Sequence, residues 1–150
     1  MNSGKRFWIK SNNWRMSADI ELDAKTIQKY SKASLPTLIK KATKHFNAYI
    51  RERDTRQPCI SCGAWTYLQA GHFYSGGAVP RLRFNEDNVH GQCMPCNYFA
   101  SGNLIRYREN LIKRIGQERV DELDRLSHLK GFKWNRYELI HIIEKYKGYK

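Results

Sequence analysis

The sequence predicts an α+β protein in which a small zinc-stapled core is flanked by amphipathic helices. The chain contains four cysteines, arranged as two CxxC pairs at Cys59 and Cys62 and at Cys93 and Cys96. This spacing allows four thiolates to converge on one Zn²⁺ in a closed tetrahedral site. Apolar residues recur at helical spacing before the first pair and after the second. Between the pairs the helical period is lost and glycines interrupt the chain, which predicts short strands and loops.

Three segments are predicted along the 150 residues. Residues 1–33 show no sustained hydrophobic period and are predicted to form a basic, irregular N-terminal arm. Residues 34–116 are predicted to form the zinc-bound core with a leading and a trailing helix, and residues 117–150 a C-terminal helical extension. A chain of this length is expected to build one modest core with extensions, stabilised by the metal.

Four helices are expected in these segments, over residues 34–54, 104–115, 117–129 and 136–147. Ser34 is the predicted N-cap of the first helix, with Pro36 in its first turn. Gly116 is expected to end the second helix. Asn135 and Glu138 have the spacing of a capping box at the start of the last one.

Two short extended segments are expected between the cysteine pairs. Residues 66–69 can form a strand that leads to His72, and residues 88–92 a turn or strand that leads into the second pair.

The charge of the chain predicts a polyanionic partner. Lysine and arginine outnumber aspartate and glutamate by 27 to 14, and the formal net charge is +13. Nucleic acid is the expected partner, and a merely solvated surface is the alternative. No stretch approaches the roughly 18 consecutive apolar residues of a membrane-spanning helix, so membrane binding is not expected.

The cysteines are expected to be reduced. The first residues lack the apolar region of a secretory signal, which predicts a cytoplasmic protein. In that compartment two CxxC pairs are more often zinc ligands than disulfides. A thioredoxin-like redox pair is the alternative, but no βαβ pattern surrounds either pair.

Polar residues inside and just after the loop between the pairs are candidates for catalysis. A phosphodiester is hydrolysed when a water is deprotonated and a cation neutralises the charge on the leaving oxygen. Neutral histidine is the usual base near pH 7, and His72 is the candidate. The amide oxygen of Asn97 suits a hard ion such as Mg²⁺, whereas zinc held by four cysteines has no open position. Asn97 capping the following helix is the structural alternative.

These residues resemble the HNH, or ββα-metal, endonucleases. Zinc-binding members carry CxxC, then a histidine, then Asn-x4-Cys-x2-Cys and a final His or Asn; the matching residues are Cys59, Cys62, His72, Asn88, Cys93, Cys96 and Asn97. The resemblance implies that His72 is the general base and that Asn88 holds the loop and the base in place. It also implies that Asn97 binds a catalytic Mg²⁺ or Mn²⁺ ion, beside the structural Zn²⁺.

One position departs from the HNH pattern. The residue before the catalytic histidine is commonly an acidic or histidine metal ligand, and here it is Gly71. The second protein ligand of the catalytic ion is therefore open, with His90 and Asp87 as candidates. A structural role for His90 is an equal alternative.

A narrower resemblance is to the NinG family of lambdoid phages, also called Rap. It is carried by Phe46-Asn-Ala-Tyr-Ile-Arg, Pro58-Cys-Ile-Ser-Cys-Gly, Ala70-Gly-His-Phe, Leu82-Arg-Phe-Asn-Glu-Asp-Asn-Val-His-Gly-Gln-Cys, Pro95-Cys-Asn and Ser101-Gly-Asn-Leu. The resemblance implies a structure-specific DNA endonuclease of phage recombination that acts on branched intermediates such as D-loops and Holliday junctions. If a phage encodes the protein, the predicted cytoplasm is that of a bacterial host. The N-terminal arm lies outside the resemblance.

Seven basic residues are candidates for phosphate contacts: Lys40, Lys41, Lys44, Arg81, Arg83, Arg106 and Arg108. Arg81 and Arg83 flank Leu82, and both are expected to face one side of an extended segment. Besides branched DNA, a second copy of the chain and phage or host recombination proteins are candidate partners.

Two further classes of function remain open. One is a non-catalytic zinc-ribbon DNA-binding module in phage recombination or replication. The other is an interaction protein whose basic surface recruits an acidic partner.

Overall fold

The computed structural model describes residues 5–10 and 19–150, with only the backbone described for residues 8–10 and 19. The elements, in chain order, are β1 (Arg6–Lys10), β2 (Asp19–Asp23), α1 (Ala24–Lys29), α2 (Leu35–Arg53), β3 (Leu68–His72), β4 (Val89–Cys93), α3 (Leu104–Ile115), α4 (Gln117–Ser127) and α5 (Arg136–Tyr146). A 3₁₀ turn spans Pro80–Leu82, and a π-helical turn spans Pro95–Phe99. The mixed α+β prediction is confirmed.

The described strands pair into two antiparallel hairpins. β1 pairs with β2, and β3 pairs with β4 in a register that places Leu68 opposite Cys93 and His72 opposite Val89. The second hairpin therefore joins the second cysteine pair, at one end, to His72 at the other.

Two hydrophobic clusters lie on either side of the β3–β4 hairpin. The first is built by α2 against α5, with Phe46 of α2 fully buried and in edge contact with Phe84 and Tyr146 at ring distances of 5.6 and 5.2 Å. The second is built by α3 and α4 around Tyr107, which is also fully buried. Val89 packs in the first cluster, and the Tyr107 hydroxyl donates a 2.7 Å hydrogen bond to the carbonyl of Gly71. Both faces of the hairpin are thus fixed by packing.

The helix predictions are confirmed to within a few residues. Helix α2 begins after Ser34, whose side chain accepts a hydrogen bond from the backbone of Thr37. The capping box of Asn135 and Glu138 is present at the start of α5. Helix α4 ends at Ser127, earlier than expected. None of the helices in the described residues is long and apolar enough to span a membrane.

The prediction of an irregular arm over residues 1–33 is wrong for its described part. Residues 6–10 and 19–23 form the first hairpin, and residues 24–29 form a short helix. Ile20 and Leu22 alternate with acidic residues along β2, and both are buried in the cluster of α2 and α5. This period of two is the signal of a half-buried strand. Residues 11–18 lie outside the described residues.

The prediction that Arg81 and Arg83 share one side of an extended segment is also wrong. Pro80 starts a 3₁₀ turn that includes Arg81, and Arg83 has helical dihedral angles of φ −54° and ψ −42°. Positions two apart in such a turn point roughly 240° apart around its axis. The Arg81 guanidinium instead lies over the ring of Phe132, 4.8 Å from its centroid.

Candidate metal and catalytic site

The four cysteines form a site that fits a structural zinc ion. Their Sγ atoms all lie within 4.8 Å of one another, and those of Cys62 and Cys93 are 3.6 Å apart. Four ligands at roughly 2.3 Å in a tetrahedron would be separated by about 3.8 Å, so one Zn²⁺ fits between them. In the described residues this is the only group of three or more His, Cys, Asp or Glu ligand atoms close enough to hold an ion.

Among the buried thiols, only that of Cys59 has surroundings that favour the ionised form. The Cys59 Sγ accepts a 3.3 Å hydrogen bond from the amide of Cys93, and the Cys96 Sγ accepts one of 3.4 Å from Asn103. Burial opposes ionisation of Cys59, but backbone hydrogen bonds outweigh it and lower its pKa to about 7. Burial raises the pKa of Cys93 to about 12. A bound zinc ion stabilises all four thiolates, because a coordinating thiol loses its proton.

His72, at the end of β3, is held in one tautomer. Its Nε2 lies 2.9 Å from the carbonyl oxygen of Arg83, so Nε2–H donates and Nδ1 keeps its lone pair. Nδ1 makes no hydrogen bond with the described residues. Burial lowers the pKa of His72, and the nearby Arg83 charge lowers it further, against the opposing effect of the carbonyl. The side chain is therefore neutral at pH 7, with one nitrogen able to accept a proton.

Asn88 connects the two loops that surround His72. Its side chain is fully buried, its Oδ1 accepts a 2.8 Å hydrogen bond from the amide of Tyr74, and its Nδ2 donates to the carbonyls of Tyr74 and Leu82 at 2.8 and 3.0 Å. Tyr74 follows His72 by two residues, and Leu82 precedes the carbonyl that orients the ring. Asn88 thus fixes both sides of the histidine from its position just before β4.

Asn97 lies in the π-helical turn after the second cysteine pair. Its Nδ2 donates a 2.9 Å hydrogen bond to the Oε1 of Gln69, which leaves its amide oxygen as the atom for an ion. It does not cap α3, since Asn103 occupies that position. Asn97 and His72 make no hydrogen bond to each other in the described residues.

The space beside Gly71 is filled by Gln92 of the neighbouring strand. A Cβ added at Gly71 would lie 2.7 Å from the Cβ of Gln92 and closer still to its Oε1. The amide group of Gln92 is anchored by hydrogen bonds from its Nε2 to Ser61 and to the Gly102 carbonyl. An acidic ligand at this position would require Gln92 to move, which explains the departure from the HNH pattern in terms of packing.

His90 and Asp87, the candidates for the missing ligand, line a cleft that neither His72 nor Asn97 lines. His90 is 2% exposed, and burial, with the charge of Arg53 adding to it, lowers its pKa to about 3. Asp87 forms an ion pair with Arg119. His90 and Asp87 thus line the same cleft, and His72 and Asn97 do not line it.

The candidate phosphate-binding residues differ in whether their charges are already paired within the protein. Lys40, Lys41, Lys44 and Arg106 are exposed. Arg108 forms an ion pair with Asp124, 2.6 Å between Nη2 and Oδ2, and hydrogen bonds to that carboxylate raise its pKa. Its charge is therefore already engaged within the protein.

An exposed aromatic surface around the cysteine site was missed by the sequence interpretation. We call this the aromatic surface, and its members are Trp65, Tyr67, Tyr98 and Phe99, which are between 72% and 76% exposed. The sequence signal is that residues 57–80 and 88–105 contain no lysine, arginine, aspartate or glutamate in a chain that is 27% charged. Arg51 and Lys150 line a depression together with Tyr67, so positive charge borders this surface.

A two-stranded hairpin with four clustered thiols at one end and helices on both faces defines a small α+β protein with a cysteine site able to hold structural zinc. The family described as Bacteriophage Lambda NinG protein matches residues 5–150. The chain belongs to this family, as its central motifs predicted.

Several phage proteins are similar to this chain. The protein ninG of Escherichia phage lambda is 57% identical over 88 residues, which cover 57% of this chain and 43% of that protein. The protein ninG of Escherichia phage 933W is 50% identical over 111 residues, or 73% of this chain and 54% of that protein. The chain thus spans about half the length of these relatives. No solved structure matches it.

Proposed function

We propose that this protein is a metal-dependent endonuclease that cuts branched DNA recombination intermediates such as D-loops and Holliday junctions. The observation that carries the proposal is the state of His72. Its Nε2–H is tied to a backbone carbonyl, and its Nδ1 is left as an unprotonated nitrogen without a partner in the described residues. This is the state that a general base needs for deprotonating water near neutral pH.

Each proposed residue has a distinct task in the hydrolysis. His72 Nδ1 accepts a proton from the attacking water, and Asn88 keeps the ring in place by bonding both loops around it. Asn97 would hold a Mg²⁺ or Mn²⁺ ion through its amide oxygen, and such an ion would neutralise charge on the phosphate and the leaving oxygen. Magnesium keeps several waters and is usually bound by one or two carboxylates together with substrate phosphates, and here Asn97 would supply a neutral amide oxygen in place of a carboxylate.

The alternative is a non-catalytic zinc-ribbon module that binds DNA. The packing of Gln92 against Gly71 favours it, because this packing removes the acidic ligand that HNH enzymes carry at that position. The two functions differ in their need for metal: a binder needs zinc alone, whereas an endonuclease needs a second divalent ion.

The metal requirement gives the first test. Zinc-loaded protein should cut a labelled four-way junction when Mg²⁺ or Mn²⁺ is supplied, and should bind without cutting when neither is present. The products are resolved on a denaturing gel, and binding is followed by mobility shift. A protein that binds the junction tightly but cuts it with neither ion supports the binding module and contradicts the endonuclease.

We propose that DNA is held by two kinds of surface. Exposed lysines on α2 neutralise backbone phosphates without regard to sequence. The aromatic surface stacks on unpaired bases, which are available at branches and are inaccessible within a duplex. Its exposed rings and adjacent basic residues are the combination typical of single-strand binding.

Paired variants separate the two contributions. A Lys40→Ala/Lys44→Ala double variant should weaken binding to every DNA by a similar factor and lower the salt slope by about two. A Trp65→Ala/Tyr98→Ala double variant should keep the salt slope but weaken branched DNA with unpaired bases roughly tenfold or more, since stacking contributes about 1–3 kcal/mol per base.

The measurement is fluorescence anisotropy on matched branched and linear DNA over a range of salt concentrations. The lysine variant is the control for the aromatic one. Unchanged binding of branched DNA by the aromatic variant would rule out stacking on that surface.

A further inference from the structure

A cleft of about 410 Å³ is lined by His90 of β4 and by no residue of β3. Its other walls come from the C-terminal ends of α2 and α3, from Arg119 of α4, from α5, and from the loop over residues 84–87. The cleft is separate from the cysteines and from His72 and Asn97, since none of these residues lines it. Its volume lies within the range of roughly 300–1,000 Å³ that is typical of small-molecule sites.

The charges in this cleft do not balance. Three carboxylates in its lining are paired with three cations: Asp54 with Arg53, Asp87 with Arg119, and Glu86 with Lys145. Arg114 is a fourth cation, and its Nη1 lies 3.9 Å from the nearest oxygen of Asp54, too far for a hydrogen bond. That Nη1 atom is buried and has no hydrogen-bond partner. The lining therefore contains four cations and three carboxylates, and Arg114 Nη1 makes no hydrogen bond in the described residues.

Two more polar atoms of the same lining are buried without a partner. They are Nδ2 of Asn85 and Nε2 of His90, and the two residues are 4% and 2% exposed. Asn85 Oδ1 accepts a hydrogen bond from the amide of Asp87, so its unpaired Nδ2 is a donor. His90 Nδ1 lies 3.0 Å from the Val89 carbonyl and 3.4 Å from Arg53 Nη2. The shorter contact requires Nδ1–H as the donor, and in that tautomer Nε2 is an acceptor. Buried polar groups normally find partners in the protein, in ordered water or in a ligand, so three such atoms around one cleft make it a candidate ligand site.

We propose that this cleft binds a phosphate monoester, either as a free nucleotide or as the terminal phosphate of a DNA strand. Two of its oxygens accept hydrogen bonds from Arg114 and Asn85, and a protonated oxygen donates to His90. The second pKa of such a phosphate is about 6, so about half of the free ligand carries this proton at pH 6 and about a tenth at pH 7. An internal phosphodiester has no P–OH group and leaves His90 without a partner. The single charge of the monoanion balances that of Arg114.

The two sources of this phosphate differ in what they require. Binding of a free nucleotide is independent of the proposed nuclease function, whereas binding of a strand end rests on the protein acting on DNA. A site for strand ends would hold DNA at a second point, away from His72.

The test is ligand binding by the zinc-loaded protein at pH 6, followed through the ¹⁵N–¹H signals of the histidine rings. The His90 signals are assigned by comparison with His90→Asn. The probes are thymidine 5′-monophosphate, a 5′-phosphorylated oligonucleotide, and the same oligonucleotide without the phosphate. We expect the His90 signals to shift with the phosphorylated probes and to remain in place with the unphosphorylated one. A shift with only one phosphorylated probe identifies the source.

A matched pair of variants adds an affinity measurement. Arg114→Gln should weaken binding of the phosphorylated probe about tenfold or more, because a charged hydrogen bond is lost. Lys113→Gln removes the same charge from the adjacent exposed position, outside the cleft, and should bind like the parent. His72→Ala should also bind the nucleotide normally, which separates this site from the catalytic proposal.

Three outcomes would overturn the proposal. One is an unchanged His90 signal in the parent with both phosphorylated probes, which does not depend on any variant folding. The others are equal binding of the two oligonucleotides and equal loss of affinity in Arg114→Gln and Lys113→Gln.

Discussion

Replacing Cys93 by serine should release the zinc ion and unfold the region between the two cysteine pairs. Cys93 ends β4 and is one of the four clustered thiols, so its replacement removes one ligand from the zinc site, although the backbone amide at this position can still donate to the Cys59 sulfur. A structural zinc contributes folding free energy directly, because the site does not exist in the unfolded chain. A loss of about 3 kcal/mol or more is expected, which lowers Tm by roughly 6–12 °C for a chain of this size if folding survives.

Metal analysis and thermal melting measure this effect. The parent should contain one zinc per chain, and Cys93→Ser much less. Met94→Ser is the control, because it places the same residue at the neighbouring, half-exposed position that is not a ligand. A parent protein free of zinc, or a Cys93→Ser variant with the same Tm as the parent, would show that the cysteines are not a structural metal site.

Replacing His72 by alanine should abolish most cleavage while leaving zinc content, fold and DNA affinity unchanged. Positioned acid–base help contributes about 10²- to 10⁴-fold to such reactions, and a loss of this size in the cleavage rate is expected. Burial holds the pKa of His72 below 6.5, so the base form predominates at pH 7 and above. The parent's rate should therefore be level above pH 7 and fall about tenfold per pH unit below the pKa of His72.

Three further variants give this experiment its controls. His128 is exposed, and His128→Ala should cut like the parent. Asn97→Ala should lose cleavage but regain part of it at high Mn²⁺, because a weakened metal site can be refilled by mass action. A missing base cannot be supplied in this way, so His72→Ala should not respond to added metal. His90→Ala should retain cleavage, since His90 faces the separate cleft.

Sequence patterns over a few residues predicted the structural features that depend only on residues close together in the chain. The spacing of Cys59 and Cys62 and of Cys93 and Cys96 predicted the clustered thiols. Ser34 and the capping box at Asn135 predicted where two helices begin, because a cap depends on residues three positions away. The strand over β2 was also readable from the alternation of Ile20 and Leu22, and it was missed.

The rest of the site depends on residues that are distant in sequence. The carbonyl that orients His72 belongs to Arg83, and it is presented by a 3₁₀ turn where an extended segment was expected. The His90 ring contacts the guanidinium of Arg53, which lies at the end of α2 and is distant in sequence. The filling of the Gly71 space by Gln92 follows from the register of β3 with β4. Motif spacing carries no information about such contacts.

The central claim is that His72 is the base of a metal-dependent nuclease. Its most direct test is the single-turnover rate of cutting a labelled four-way junction by zinc-loaded parent and His72→Ala proteins, with Mg²⁺ present and protein in excess. We expect the parent to cut the junction and the variant to cut it about 10²-fold or more slowly, while both bind the junction equally. Equal rates in the two proteins, or no cutting by a parent that binds the junction, would contradict it.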